Sequence, residues 1–338
     1  MYTTKPTIDD VARVAGVSRA TASRVLNDLP GASPPTRARV HDAVATLGFR
    51  PNETARALAS GRQRVIDVIA IADGQEEGWL GVHPYYSRVL AGMMSVLESV
   101  DVQLRLHAVT SDASPATIDA IAADTTAGAV LATVTPAMAS RFYRRCRRTV
   151  SLVTTAPEVP AIEADNTDGA YTACHYLHAL GRRRIVAIHG PADNPCAIDR
   201  KAGYRKSMIE LDRPDIGEDG AFLRLGGYHA AQRLLARDPD LDAMFIACDL
   251  MAAGAIQAIT ATGRRVPDDV SIVGFDDSVA AICANPPLTT MRLPVEDMAA
   301  AATHLLLAGN IPPGHRQRFI VNLVERQSTP NLRTTHAR

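Results

Sequence analysis

Residues 7–27, TIDDVARVAGVSRATASRVLN, constrain the fold more than any other part of the chain. Apolar residues recur at helical spacing on either side of Gly16, which predicts two short helices joined by a tight turn. Thr7 and Asp10 have the spacing of a capping box at the start of the first helix, and Ser18 is placed to cap the second. The segment therefore predicts a helix-turn-helix.

The predicted second helix has a small, polar and basic outer face. Such a helix fits the major groove of DNA, where arginine can pair with guanine and a small apolar side chain can contact a thymine methyl group. The alternative is an ordinary helical hairpin whose outer face is only solvated. In the DNA-binding interpretation, the candidate contacts are Thr7, Ser18, Arg19, Ala20, Thr21, Ser23, Arg24 and Asn27.

The segment after this motif predicts two more helices. Ser33 and Pro34 are typical of a capped helix start, and Gly48 is typical of a helix end. Residues 51–61, PNETARALASG, predict a further short helix with Leu58 on its apolar side. A helix this short is marginal in water when isolated, so we expect it to form only when a partner orders it.

Charge is distributed unevenly along a chain that is neutral overall. The 338 residues contain 36 Lys/Arg and 36 Asp/Glu, but residues 1–64 hold ten Lys/Arg and only five Asp/Glu. A basic amino-terminal segment before an acidic remainder fits phosphate contacts made by that segment alone. The length suffices for a small domain followed by a two-lobed core.

The cysteines, the apolar runs and the motif content disfavour several classes of protein. The five cysteines show neither a disulfide framework nor metal-ligand spacing, so we expect no metal site. No signal-peptide pattern is present and no apolar run approaches the roughly 20 residues of a membrane span, so we expect a soluble, cytoplasmic protein. The motifs of phosphate-binding loops, zinc proteases and serine hydrolases are absent, so we expect neither an enzyme nor a cofactor.

From Val65 onward, short apolar runs alternate with helical patterns. Repeated βα units of this kind predict parallel sheets covered by helices on both faces. The runs fall into two sets, which predicts two α/β lobes with a cleft between them. The predicted buried strands are 65–72, 102–109, 128–134 and 149–155 in the first set, and 185–190, 243–248 and 270–275 in the second.

Candidate ligand contacts follow from the rule that ligands of such sheets bind outside the carboxyl ends of the strands. Carboxylates accept hydrogen bonds and a guanidinium donates them, which suits a ligand with many hydroxyl groups. Aromatic rings after the first strand could pack on the apolar faces of a sugar. At these strand ends and the helix starts beside them lie Asp73, Trp79, Tyr85, Tyr86, Thr154, Thr155, Arg200, Cys248, Asp249, Asp276 and Asp277. Of these, Asp249 and Asp277 are more typical of helix caps or turns.

Six segments resemble the LacI/GalR family of transcriptional regulators, in the order and at close to the spacing of that family. They are DVARVAGVSRATASRVLN, LGFRPNETARALASG, HYLHALGRRRIVAIHGP, DRKAGYRKSM, IACDLMAAGAI and DDVSIVGFDDS. The resemblance implies a core of the periplasmic-binding-protein type I fold, in which the chain crosses between lobes three times. It divides the chain into a headpiece at 1–50, a hinge helix and linker at 51–62, a core at 63–330 and a tail at 331–338.

The resemblance also implies roles for particular residues. Asn52, Ala55 and Leu58 would contact DNA from the hinge helix, with Leu58 wedged between base pairs in the minor groove. Arg200 and Asp276 match effector-contacting residues of the family, and Phe222 matches the position of a ring that stacks on the effector. The alternative is that Phe222 is an ordinary core residue. The segment ADGQEEGWLGVHPYY is longer than the usual turn after the first strand, which puts effector contacts carried over from that loop in doubt.

These observations predict a homodimeric repressor that binds a palindromic DNA operator and responds to a small-molecule effector in the interlobe cleft. A sugar is the expected effector, and a nucleobase or nucleoside is the alternative. Of the other classes, a sugar-binding transport protein would need an export signal and would lack the basic headpiece. A nucleoid-type DNA binder would not need a core with a cleft.

Overall fold

The computed structural model describes residues 6–26, 30–49, 63–72 and 83–330. The chain divides into two compact units, Met1–Arg64 and Val65–Arg338. The finer limits expected from the sequence, with a separate hinge and tail, stay predictions.

The first unit contains the helices α1 (Ile8–Ala15), α2 (Arg19–Leu26) and α3 (Pro34–Leu47). Thr7 and Asp10 form the expected capping box. The Thr7 hydroxyl accepts a hydrogen bond from the Asp10 amide at 3.3 Å, and the Asp10 carboxylate accepts one from the Thr7 amide at 2.9 Å. Gly16, at φ +62°, ends α1. The predicted helix-turn-helix is therefore present in the described residues.

A small apolar core holds the three helices together. Val11 from α1, Val25 from α2 and Val40 from α3 meet in this core, and each is almost fully buried. The start of α3 differs from expectation. Ser33 occupies the cap position, but its hydroxyl bonds to the Thr36 hydroxyl at 2.9 Å and makes no side-chain bond to the helix backbone.

The second unit consists of two lobes, each built on a six-stranded sheet. The sheet of the first, the N-lobe, has the strand order β11-β5-β4-β3-β1-β2 and is parallel throughout. Its elements are β1 (Val65–Ile71), α4 (Pro84–Leu97), β2 (Gln103–Val109), α5 (Pro115–Asp124), β3 (Gly128–Thr133), α6 (Pro136–Arg145), β4 (Thr149–Ser151), β5 (Ala161–Ala164), α12 (Val295–Ala308) and β11 (Arg316–Phe319).

The sheet of the other lobe, the C-lobe, has the order β12-β10-β9-β8-β6-β7 and is parallel except for the antiparallel β10–β12 pair. Its elements are α7 (Asn166–Ala179), β6 (Ile185–His189), α8 (Pro195–Glu210), β7 (Gly217–Asp219), α9 (Arg224–Arg237), β8 (Ala243–Ile246), α10 (Asp249–Ala261), β9 (Ser271–Asp276), α11 (Val279–Cys283), β10 (Thr289–Arg292) and β12 (Asn322–Val324). The chain crosses between lobes after β5, after β10 and after β11, so the expected two-lobed α/β core is confirmed.

The main apolar core extends through both lobes. One cluster contains Ile66 and Val68 of β1 together with Phe275 of β9 and Met291 of β10. The two lobes are therefore packed against each other through a shared apolar core. In the part of the chain that the structure describes, no helix has the length and apolar character needed to cross a bilayer.

Candidate functional site

A cavity of about 390 Å³, here called the interlobe cavity, lies where the strand ends of the two lobes face each other. Six residues predicted from the sequence line it: Tyr85, Tyr86, Arg200, Phe222, Cys248 and Asp276. They come from both lobes, with Tyr85 and Tyr86 on α4 of the N-lobe and the other four at strand ends or helix starts of the C-lobe.

Arg200, in the second turn of α8, is the central buried cation of the cavity. Its side chain is 4% exposed. Its Nε donates to the Asn166 side-chain oxygen at 2.9 Å, and its Nη1 donates to the Ala247 carbonyl and, at 3.2 Å, to Asp276 Oδ1. The guanidinium lies 3.8 Å above the centre of the Phe275 ring. These contacts fix the plane of the guanidinium and leave Nη2 without a hydrogen-bond partner among the described residues.

Asp276 ends β9 and faces Arg200 across the cavity floor. Burial raises the pKa of its carboxyl group, and the neighbouring Arg200 opposes that shift. Its second oxygen, Oδ2, accepts no hydrogen bond from the described part of the chain. The pair therefore presents one free donor edge and one free acceptor edge to the same cavity, which suits a hydroxyl group that both accepts and donates.

The backbone is strained at two places on the cavity wall. Ala221 and Phe222 have φ values of +55° and +60°, and Asp276 and the next residue, Asp277, have values of +114° and +55°. Residues other than glycine are held in such conformations only when their surroundings determine them, and these conformations concentrate at functional sites. At Phe222 the surroundings include Gly190, where an added Cβ would lie 2.3 Å from the phenylalanine ring.

The N-lobe wall is aromatic and begins at His83, the residue before α4. His83 Nδ1 accepts a hydrogen bond from the Tyr85 amide at 3.2 Å, so the free imidazole nitrogen, Nε2, carries the proton when the ring is neutral. Burial lowers the pKa of His83, which favours that neutral form. The Tyr85 hydroxyl donates to the Ala132 carbonyl at 3.3 Å, and the Tyr86 hydroxyl donates to the Ile71 carbonyl at 3.2 Å.

Some sequence-predicted residues have other positions. Thr154 is exposed and its hydroxyl donates to Glu163, because β4 ends at Ser151; Leu152 lines the cavity instead. Thr155 is also outside the lining. Asp73 and Trp79 lie outside the described residues.

Asp249 and Asp277 are engaged in structural contacts. The Asp249 carboxylate accepts hydrogen bonds from the Ser278 amide at 2.7 Å and the Thr290 hydroxyl at 2.6 Å. The Asp277 carboxylate accepts hydrogen bonds from Arg292 and Arg326. These contacts agree with the structural roles that the sequence favoured for both residues.

Sequence reasoning missed Asn166, His83 and Cys196, all of which line the cavity. Asn166 follows β5, a strand of four residues that Glu163 interrupts, so it shows no continuous apolar run. Cys196 was missed because α8 begins at Pro195, about one turn before the helical pattern of apolar residues begins. Cys248 was found, and its sulfur caps α10 by accepting from the Met251 amide at 3.5 Å. Burial raises the pKa of both thiols, so they are neutral.

The first unit carries the candidate DNA contacts. Arg19, Ala20 and Arg24 are exposed on α2, Thr21 and Ser23 are half-buried, and Ser18 caps the helix by accepting from the Thr21 amide at 3.1 Å. The Thr7 hydroxyl donates to Asp10 within the capping box. Asp9 of α1 lies 3.6 Å from Arg19, a neighbouring acid that the sequence pattern did not reveal. Outside the described residues lie Asn27, Asn52, Ala55 and Leu58.

Two family models match this chain. Residues 7–52 match bacterial regulatory proteins of the lacI family, and residues 174–329 match a periplasmic binding protein-like domain. The chain is 33% identical to the HTH-type transcriptional regulator CelR of Thermobifida fusca over 316 residues. These residues are 90% of this chain and 91% of that protein. The chain belongs to the LacI family. This LacI-family protein is therefore a transcriptional regulator, and its family is not one of enzymes.

Further relatives extend the likeness over almost the full length of the LacI-family chain. The lactose operon repressor of Escherichia coli (strain K12) is 30% identical over 345 residues, which are 98% of this chain and 93% of that protein. Two solved structures are similar over 96% of this chain and 99% of their own chains. A complex of the transcriptional regulator CelR with cellobiose has a TM-score of 0.71 at 29% identity. The lac repressor dimer bound to operator and the anti-inducer ONPF has a TM-score of 0.70 at 27% identity.

The chemistry of the interlobe cavity in this LacI-family regulator is that of binding. Asp276 and Asp277 are adjacent, but the first bonds to Arg200 and the second to Arg292 and Arg326, so they form no catalytic pair. Within the described ranges, no group of three His, Cys, Asp or Glu side chains is placed to hold a metal ion. The cavity can offer a ligand fixed donors, fixed acceptors and aromatic faces.

Proposed function

We propose that this LacI-family regulator is a repressor whose homodimer binds a palindromic operator and releases it when a sugar occupies the interlobe cavity. The observation that carries the proposal is the buried Arg200–Asp276 pair, which leaves Nη2 and Oδ2 available beside aromatic walls. Two similar structures support the proposed ligands: CelR in complex with cellobiose supports a sugar, and the lac repressor dimer bound to operator supports DNA.

The proposed sugar contacts follow from the chemistry of the lining. One sugar hydroxyl donates to Asp276 Oδ2, and the same or a neighbouring hydroxyl accepts from Arg200 Nη2. The faces of Phe222 and Tyr85 pack on the apolar faces of the sugar ring. Neutral His83 adds a donor from the N-lobe. The remaining sequence candidates, Asp73, Trp79 and Cys248, stay predictions for this site, and Thr154 is no longer among them.

The proposed DNA contacts come from α2 and from the hinge segment. Arg24 pairs with guanine and Ala20 contacts a thymine methyl group, while Arg19 and the polar residues around it position the helix on the backbone. Asn52, Ala55 and Leu58 bind in the minor groove. Occupancy of the cavity changes the preferred lobe arrangement and weakens operator binding, by a coupling of about 1–3 kcal/mol.

The test begins with an operator selected from random DNA by the purified full-length protein. Cellobiose, lactose, glucose, adenosine and guanosine are then each titrated by calorimetry, and operator affinity is measured with each bound. We expect a sugar to bind and to lower operator affinity by roughly 5- to 150-fold. Binding by a nucleoside alone would replace the sugar assignment. A sugar that strengthens operator binding would contradict the proposed release.

Substitution at the Arg200–Asp276 pair tests the location of the site. Arg200→Ala and Asp276→Ala should each lower affinity for the sugar that binds by roughly 30-fold or more, because each leaves a buried charged partner unpaired. Operator affinity without sugar should be retained. Arg184→Ala is the matched control, since it removes an arginine–carboxylate pair with Asp238 in the C-lobe outside the cavity. A full sugar response in both cavity variants would place the site elsewhere.

A further inference from the structure

Arg88, on α4 of the N-lobe, makes a set of contacts that the proposed sugar site does not use. Its side chain is 17% exposed. Nη1 donates to the Asp276 carbonyl at 2.7 Å and Nη2 donates to the Leu293 carbonyl at 2.9 Å. Nε and Nη2 also donate to the two oxygens of Glu296, at 2.6 and 2.7 Å. One guanidinium thus binds two main-chain carbonyls and one carboxylate.

The acceptors of Arg88 belong to different parts of the second unit. Asp276 ends β9 in the C-lobe, and Leu293 follows β10 in the segment that crosses back to the N-lobe. Glu296 is in the first turn of α12, an N-lobe helix. Arg88 therefore links an N-lobe helix to the C-lobe strand end that carries the buried carboxylate of the interlobe cavity.

Close packing of α4 on α12 keeps Arg88 and Glu296 in register. A Cβ added at Gly92, one turn after Arg88, would lie 2.2 Å from the Glu296 carbonyl oxygen. The two helices can approach this closely because position 92 has no side chain. The Arg88 guanidinium is consequently presented from a rigid base, with its orientation set by a bidentate carboxylate contact.

The Asp276 carbonyl that accepts from Arg88 belongs to a residue with φ +114°, a conformation that needs external support. We propose that Arg88 is a positioning residue that holds the main chain at Asp276 and thereby maintains the lobe arrangement in which Asp276 faces Arg200. Glu296 acts through Arg88 by fixing its guanidinium. The weaker sugar binding that we expect of Arg88→Met rests on the proposed function, whereas the lobe arrangement can be measured without a sugar.

Cysteine labelling of the full-length protein measures that arrangement directly. Cys196 and Cys248 line the interlobe cavity, Cys174 is buried in α7 outside it, and Cys283 is exposed. The protein is exposed to N-ethylmaleimide and the labelled peptides are quantified by mass spectrometry over time. Cys283 then reports reagent activity, Cys174 reports global unfolding, and the two cavity thiols report separation of the lobes.

In Arg88→Met, labelling of Cys196 and Cys248 should accelerate by about fivefold or more relative to Cys174. Arg88→Lys keeps the charge but has a single donor group and should give a smaller acceleration, as should Glu296→Gln. Arg141→Met is the matched control, because it removes a bidentate pair with Asp119 within the N-lobe, away from the cavity. It should leave the ratio of cavity labelling to Cys174 labelling unchanged.

Three results would overturn the inference: an unchanged ratio in Arg88→Met, an equal acceleration at Cys174 and the cavity thiols, or the same effect in Arg141→Met. The second would mean that Arg88 only stabilises the fold. With cellobiose as the probe, Arg88→Met should also bind more weakly than the unsubstituted protein, by roughly tenfold. Failure of the unsubstituted protein to bind any tested sugar would count against the proposed function and leave the labelling result standing.

Discussion

His189, the last residue of β6, is a buried imidazole that the proposed mechanism does not use. It is 2% exposed, and its Nδ1 has no hydrogen-bond partner within the described part of the chain. Burial, with a contribution from Lys201, lowers its pKa from 6.5 to about 4. In the folded protein the ring is therefore neutral at pH values where an unfolded chain would protonate it.

This difference makes stability depend on pH. Because the unfolded state binds the proton first, the free energy of unfolding falls as pH falls from 6.5 toward about 4, by roughly 3 kcal/mol in all at 1.36 kcal/mol for each unit of pKa. His189→Leu should remove this part of the pH dependence. Urea unfolding at about pH 7 and about pH 5 measures it for both proteins. Equal losses of stability on acidification would show that His189 is not responsible.

At the scale of single residues, the sequence was informative where a residue type and a strand end coincide. Arg200, Cys248 and Asp276 could be placed on the cavity wall because their strands or helices were recognised. Thr154 was misplaced by a strand predicted to run four residues past the observed end at Ser151. The φ of Asp276 and the contacts of Arg88 depend on residues far away in the chain, which no local pattern contains.

At the scale of elements, closely crossing helices are marked by glycine. Gly203 of α8 faces α7, where a Cβ would lie 2.1 Å from the Thr167 carbonyl oxygen. Gly254 of α10 faces α9 in the same way, with a Cβ 2.0 Å from the Arg224 carbonyl oxygen. Glycine lowers the stability of a helix interior, so the stabilisation at these positions must come from the short distance between the helix axes.

Gly203→Ala should destabilise the second unit although alanine is the better helix former. The added methyl group would force α7 and α8 apart. Because the clash is with main-chain atoms, we expect a cost toward the upper end of about 1–3 kcal/mol, which exceeds the gain of about 1 kcal/mol in helix propensity. Thermal unfolding measures the difference. The control is Ala202→Ser at the exposed neighbouring position, which should change stability by no more than about 0.5 kcal/mol. A stabilised Gly203→Ala protein would show that the helices can separate freely.

Strands that lie within continuous apolar runs could be predicted, whereas short strands without such a run could not. All seven predicted strands of the core are present. The strands that were missed are β5, β7, β10, β11 and β12. Each has three or four residues and includes a polar or charged side chain, so none of them forms a continuous apolar run. They form through pairing with neighbours that are already in place, so their signal lies in the sheet and not in their own residues.

At the scale of the whole molecule, the two units differ in charge. Residues 1–64 carry the excess of Lys/Arg, and the rest of the chain carries an equal excess of Asp/Glu. Binding of this basic segment to DNA phosphates would release condensed counterions, whereas binding of an uncharged sugar would not. The two proposed binding events can therefore be separated by their dependence on salt.

Operator affinity should fall by roughly 10³- to 10⁵-fold between 50 and 200 mM salt if about six to ten phosphates are contacted per dimer. Fluorescence anisotropy of a labelled operator measures this dependence. Sugar affinity, measured by calorimetry over the same range, should change little and serves as the internal comparison. Operator binding that is insensitive to salt would contradict phosphate contact by the basic segment.

The three crossings between lobes have a consequence for synthesis on the ribosome. The N-lobe sheet needs β11 and its packing helix α12, both of which follow most of the C-lobe in the chain. When β5 has emerged, the N-lobe still has an unpaired edge at that strand, which persists until Phe319 is made, and an uncovered apolar face, which persists until α12 is complete at Ala308. A nascent chain of this topology cannot complete one lobe before beginning the other. Its exposed sheet edge during that interval is a natural contact for chaperones and a route to aggregation when translation stalls.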